Sequence, residues 1–389
     1  MRRLLPLVCT LVAVDTVFYA ALVPLLPHYV HAYGLSKGGA GVLSAMYAIG
    51  ALAGGLPGGA VAARFGPRAG VLAGLVLMAT ASLAFGFAGT IGVLWVARFI
   101  QGFGSSLTWS GALAWLAFAT PRARRGAAMG TAMGAAVVGA LLGPVLGAAA
   151  SVVGTRAAFS AVAVLGGVLA VWALRLAPAP AHAQPVAAAL GALRDRGILA
   201  GLWLMTLPAL LVGVLNVLMP LSLHDVGFGA VAIGAVWLVG AAIEAVLNPV
   251  IGHASDRFGE LAPVRIGLVA AMVVSLLLAL LSGAVALVVL TLAAAVAYGA
   301  FYTPALIVLS HGAERIGLAQ GLVFGLMSLA WASGNTVGPL AGGAFADALG
   351  NALPYALCAA LCGLTLVFVR RLLQTPSSAT REAVARPAP

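Results

Sequence analysis

Apolar runs of about 20 residues, each long enough to cross a bilayer, follow one another along nearly the whole chain. Inside lipid such a run must satisfy its own backbone hydrogen bonds, which a helix does. A membrane barrel would instead show roughly ten-residue segments with alternating polar positions, and that texture is missing here. Of the 389 residues, 63% are hydrophobic and 7% charged, where a soluble domain carries about 25% charged residues. The mean hydropathy is +1.12. Helices are expected over 4–31, 38–63, 69–90, 92–119, 126–151, 157–176, 198–223, 229–254, 263–283, 285–310, 317–346 and 352–372. The expected fold is all-α and integral to a membrane, with twelve transmembrane helices.

Two patterns recur about half a chain length apart. Gly139-Ala-Leu-Leu-Gly143-Pro144-Val-Leu-Gly147 returns 195 residues on as Gly334-Asn-Thr-Val-Gly338-Pro339-Leu-Ala-Gly342. Gly59-Ala-Val-Ala-Ala63-Arg64-Phe-Gly66 returns 193 residues on as Gly252-His-Ala-Ser-Asp256-Arg257-Phe-Gly259. The chain therefore reads as two pseudo-symmetric six-helix bundles, 1–176 and 198–372, joined by a linker over 177–197 and followed by a tail from 373 to 389 that is expected to be disordered. Duplicated halves in a membrane protein point to a transporter with its substrate site between them. No segment outside the membrane is long enough to fold as a separate domain, and no P-loop is present, which argues against a nucleotide-driven pump.

The formal net charge of +11 does not point to nucleic acid, because the charges are sorted by side. With twelve helices, 17 of the 20 Lys and Arg fall on one face, leaving Lys37 and Arg156 on the other and Arg98 inside the fourth helix. That asymmetry places both termini in the cytoplasm. Arg2 and Arg3 ahead of an apolar stretch resemble a signal peptide, but the stretch is too long and contains Asp15 and two prolines. It is read as the first helix. Cys9, Cys358 and Cys362 are read as packing residues, not as a disulfide framework. Nineteen Arg to one Lys suggests a GC-rich genome and a bacterial inner membrane.

Several motifs fall in order along the chain. Gly59, Arg64, Gly66 and Arg68 match a loop pattern between helices two and three, with Ala63 where an acid is expected. Gly252, Asp256, Arg257 and Gly259 repeat that pattern with the acid present. Arg98-Phe-Ile-Gln101-Gly102-Phe-Gly104 lies on helix four, and Gly139, Gly143, Pro144 and Gly147 on helix five. Together with Asp15 and Pro24-Leu-Leu-Pro27 on helix one, the chain resembles the major facilitator superfamily, and within it the twelve-helix drug:proton antiporter branch. The resemblance covers almost the whole length. It implies alternating access powered by a proton gradient, with no resident cofactor or metal. The implied partners are a small-molecule substrate, protons and the lipid bilayer, and the chain is expected to be a monomer.

The residues carry a physical reading beside the resemblance. Glycines four apart let helices approach closely, so Gly139, Gly143 and Gly147, repeated at Gly338 with Pro339, are expected where the bundles rock. The loops carrying Arg64 and Arg68, and Asp256 and Arg257, are expected to bond helix ends on the cytoplasmic side and to hold one conformation shut. Asp15 and Glu244 are the two acids near mid-membrane. A charge there costs at least about 2.5–3.5 kcal/mol, so each is expected to face a cavity or a partner and to carry a proton. Tyr19 follows Asp15 by four and Asn248 follows Glu244 by four, so each pair shares a helix face. Arg98, Gln101, Ser105 and Trp109 form a stripe on helix four, with Arg98 placed to govern when an approaching carboxylate changes its protonation. Asn216, Tyr298, Tyr302, Trp331 and Asn335 are expected to line the cavity from the second half.

The best-supported function is proton-coupled efflux of amphipathic or cationic small molecules such as drugs. The same fold also admits an exporter or importer of sugars, amino acids or other metabolites. A transport-inactive sensor is a reading of a different class. An enzyme is not expected, since neither His-Glu-x-x-His nor Gly-x-Gly-Asp occurs and the histidines are dispersed.

Overall fold

The computed structural model describes residues 3–121, 124–180, 191–258, 261–317 and 320–373. The described residues form helices and no strand. In chain order these are α1 (Leu4–Ala20), α2 (Leu22–Tyr33), α3 (Lys37–Phe65), α4 (Pro67–Gly86), α5 (Ile91–Ala119), α6 (Arg125–Val153) and α7 (Thr155–Leu174). After the linker come α8 (Arg196–Asp225), α9 (Ala230–Phe258), α10 (Leu261–Leu280), α11 (Ala284–Gly299), α12 (Tyr302–Arg315), α13 (Gln320–Leu349) and α14 (Ala352–Leu373). Pairs α1/α2 and α11/α12 are each one crossing in two pieces, so the described residues make twelve crossings, six per half. By length and apolarity alone, nine crossings among the described residues qualify as membrane-spanning.

The two breaks share one cause, which the expected helix list missed by drawing both spans as continuous. A proline removes an N–H, and its ring clashes with the carbonyl four residues back. Pro24 places that carbonyl at Ala20, where α1 ends, and Pro304 places it at Ala300, between α11 and α12. Three helix starts, those of α3, α5 and α8, carry conventional side-chain caps. Ser36 Oγ accepts from Gly39 N at 3.2 Å, Thr90 Oγ1 from Val93 N at 3.5 Å, and Asp195 Oδ1 from Ile198 N at 3.0 Å. Gly66, with φ of 89°, turns the chain tightly between α3 and α4.

Glycines set the closest helix crossings. A Cβ at Gly139 would fall on Ala13 O, at Gly143 on Ala20 Cβ, and at Gly147 on Ala21 O, so α6 lies backbone-to-backbone on the first crossing. The second half repeats this contact. A Cβ at Gly334 would fall on Thr206 O and at Gly338 on Leu210 O, while at Gly342 it would stand 3.1 Å from Val214. Each half thus packs its fifth crossing on its first through the repeated motif.

Between the halves the arrangement is also two-fold. Helix α3 meets α13, and α6 meets α9. A Cβ at Gly41 of α3 would fall on Pro339 O, and one at Gly234 of α9 would stand 2.9 Å from Pro144 O. Gly41 and Gly234 are 193 residues apart, the offset of the loop repeat. Large apolar side chains such as Leu280 and Val285, each 78% exposed, cover the outside of the bundles, as surfaces meant for lipid do.

Candidate functional site

Asp15, on α1, is 3% exposed, and one of its two oxygens is fully occupied. Its Oδ2 accepts from Tyr47 Oη of α3 at 3.1 Å, and from Ser105 Oγ at 2.8 Å and Trp109 Nε1 at 2.6 Å, both on α5. Ser105 and Trp109 are four apart, so one face of α5 delivers both donors. Oδ1 is buried and has no hydrogen-bond partner. A proton can therefore add at Oδ1 without displacing any of the three donors.

Arg98 sits about 10 Å further along α5 from Ser105, seven residues at 1.5 Å each. It makes no ion pair with Asp15. Its Nη1 donates to Phe18 O at 3.2 Å and to Gln101 Oε1 at 3.3 Å, and its Nη2 to Tyr19 O at 3.3 Å. Phe18 and Tyr19 lie in the last turn of α1, next to the break, and a cation at a helix C-terminus is electrostatically favoured. The guanidinium carbon also lies 4.9 Å from the centre of the Tyr47 ring. Arg98 is thus anchored to the break in the first crossing.

Tyr19 connects this cluster to the second half. Its hydroxyl donates to Asn335 Oδ1 of α13, and its ring stands edge-on to Trp331 at 5.0 Å and 5.2 Å from Tyr47. Asn335 Nδ2 in turn donates to Trp331 O at 3.2 Å. A small cavity at the seam is lined by Tyr19, Ser44, Arg98, Asn216 and Pro339, with Leu22, Val23 and Gly213. Asn216 Oδ1 accepts from Trp237 Nε1 at 2.9 Å, which holds its amide at the wall.

The second acid is placed differently. The carboxyl of Glu244, on α9, lies against Gly299, where a Cβ would overlap it, so Glu244 stands beside the α11/α12 break. Tyr302 begins α12 at that break, half-buried. Tyr298 does not line the cavity. It is 1% exposed inside the second bundle, with its hydroxyl 2.8 Å from Ser275 Oγ. Tyr298 lies in α11 before the break and Tyr302 begins α12 after it. The side chain of Asn248 is outside the described region.

The motif residues divide as well. Arg68 Nη1 donates to Leu176 O at 3.1 Å, so it joins the start of α4 to the end of α7 within one bundle. Arg64 is exposed, its guanidinium 5.5 Å from the Phe65 ring. A Cβ at Gly59 would meet nothing within 4 Å, so close approach does not require glycine there. Arg257 is exposed at the end of α9. The side-chain surroundings of Gly252 and Asp256, and Gly259 altogether, lie outside the described residues.

Three participants escaped the sequence reading. Tyr47 carries no spacing signal that links it to Asp15, since the two meet only when α1 and α3 both pack on α5. Gly41 and Gly234 could have been found, because they keep the repeat offset.

The family model described as Major Facilitator Superfamily matches residues 8–334. Among solved structures, one titled "Crystal Structure of A Bacterial Homolog to Human Lysosomal Transporter, Spinster, in Inward-facing And Unoccupied Conformation" superposes with a TM-score of 0.74 at 16% identity, over 95% of each chain. At that identity the likeness speaks for the fold. No curated protein sequence matches the chain. Twelve crossings in two matched halves, a polar cluster at their seam and a family match over most of the length lead to one conclusion: the chain belongs to the Major Facilitator Superfamily and is a multi-pass membrane transporter.

Proposed function

We propose that the chain is a proton-coupled antiporter of the bacterial inner membrane that exports amphipathic or cationic small molecules by alternating access. The observation that carries this reading is Asp15, a buried carboxyl with three donors on one oxygen and none on the other. Such a group exchanges one proton with little rearrangement of its neighbours. A cationic cargo near the same carboxyl competes with that proton, which is the exchange an antiporter needs. Tyr19, four residues along α1 from Asp15 and bonded to Asn335 in the other bundle, offers a mechanical route from the acid to the seam. Glu244, at the break of the tenth crossing, is a second carboxyl that can carry a proton or recognise the cargo. The Lys and Arg asymmetry supports cytoplasmic termini, and the chain works as a monomer.

The test is cargo movement against an imposed pH gradient in vesicles holding the purified protein, scanned over pH. Asp15→Asn is expected to express as well as the parent, because a neutral side chain is cheaper in lipid, and to lose gradient-driven transport. Glu244→Gln should lose it too, or narrow the range of cargo if Glu244 serves recognition alone. Full gradient-driven transport by Asp15→Asn places proton coupling elsewhere and overturns the reading.

A further inference from the structure

We infer that Asp347 is the latch that holds the two bundles together on the face opposite the termini, and that it closes one of the two pseudo-symmetric seams only. Asp347 lies in the last turn of α13, exposed to water at that face. An acid in a last turn is disfavoured by its own helix dipole, so the position needs a reason from outside the helix. The reason lies across the seam. Asp347 Oδ1 accepts from Lys37 N at 2.8 Å and Oδ2 from Gly38 N at 2.7 Å, the first two N–H groups of α3. Ser36 Oγ takes the third, from Gly39, and Ala40 N returns to Ser36 O. The start of α3 is therefore capped in part by the opposite bundle.

Neighbouring contacts support the same point. Lys37 Nζ donates to Asn351 Oδ1 at 2.7 Å, and Asn351 Nδ2 to Ser222 Oγ at 3.1 Å. A Cβ at Gly343 would fall on Lys37 O, and one at Gly38 would stand 2.7 Å from Asp347 Oδ2. At the other seam the repeat offset of 195 brings Val152 to the place of Asp347. Val152 is 73% exposed and has no carboxylate to offer the start of α9. For the protein to open on this face, the α3–α13 seam must surrender two charge-assisted bonds and the α6–α9 seam none of that kind. Opening therefore begins at α6–α9, with Asp347 setting how often the other seam follows.

The experiment reads conformation directly and needs neither protons nor cargo, so its outcome is separate from that of the transport assay. Spin labels at Gly89→Cys and Ser282→Cys sit on exposed loops of the two bundles at that face, 193 residues apart. The full chain, with Cys9, Cys358 and Cys362 replaced by Ala, is measured in lipid nanodiscs. Asp347→Ala is expected to raise the ratio of separated to closed distances about tenfold, the scale of removing a solvent-exposed carboxylate cap from a helix start. Asp347→Asn, which keeps a neutral acceptor, should fall between. Gly38→Ala, which crowds the carboxylate without altering it, should act in the same direction and add nothing in the Asp347→Ala background. Where Asp347→Ala does not fold, Gly38→Ala reads the same contact. Unchanged distances in these variants, or effects of Gly38→Ala and Asp347→Ala that simply add, overturn the assignment.

Discussion

A guanidinium taken out of water has five N–H groups to satisfy, and Arg98 satisfies three of them with carbonyl oxygens. Two belong to the last turn of α1, beside the break, so the side chain stabilises that helix end. Arg98→Ala should therefore lower the melting temperature of the purified protein, at about 1–3 kcal/mol for each buried carbonyl left without a donor. Arg98→Lys should recover only part, because an ammonium is a point donor and cannot span two carbonyls as a planar fork does. An unchanged melting temperature in Arg98→Ala would show that the break is held by something else. At this scale the sequence was informative about Ser105 and Trp109, whose spacing sets them on one face of α5, and about Asp15, an acid inside an apolar span. It was silent on the Phe18 and Tyr19 carbonyls that Arg98 binds, because they belong to another helix, whereas Gln101 is three residues on along α5.

At the scale of elements, the glycine motif means different things at different positions. Gly143 and Gly338 face backbone and Cβ atoms of the partner helix, and Gly59 faces open space. Gly143→Leu and Gly338→Leu should overpack the α6–α1 and α13–α8 crossings, at a cost of about 1–3 kcal/mol or more, and lose transport. Gly59→Leu should transport normally, and the same vesicle assay compares all three. If Gly143→Leu transports like the parent, the close crossing is not needed for function. The chain announced these crossings through repetition, but a repeated glycine in one motif looks no different from a repeated glycine in another. Only packing separates them. The two helix breaks were missed for a related reason. Pro57, Pro144, Pro208, Pro220 and Pro339 are carried inside continuous helices, so proline alone does not mark where a crossing is interrupted.

For the molecule as a whole, the twelve crossings and their alternation were legible from apolar length and the side preference of Lys and Arg. Reporter fusions after Leu373 and within 177–197 should both read cytoplasmic. A periplasmic signal from either would invert or break the topology. Tertiary contacts between the halves were the least legible part, since Tyr19 and Asn335 are 316 residues apart and share no pattern.

The single acid at position 347 has a consequence for how such a chain can descend from a shorter one. A protein made of the first half twice would carry valine at both rims and no pin at either. One made of the second half twice would carry a pin at both and be tied along each edge. The present pairing has one pinned edge and one without a pin, so with Asp347 as the latch the two edges part unequally. That motion belongs to the fusion of two unlike halves, and neither half assembled with its own copy would possess it.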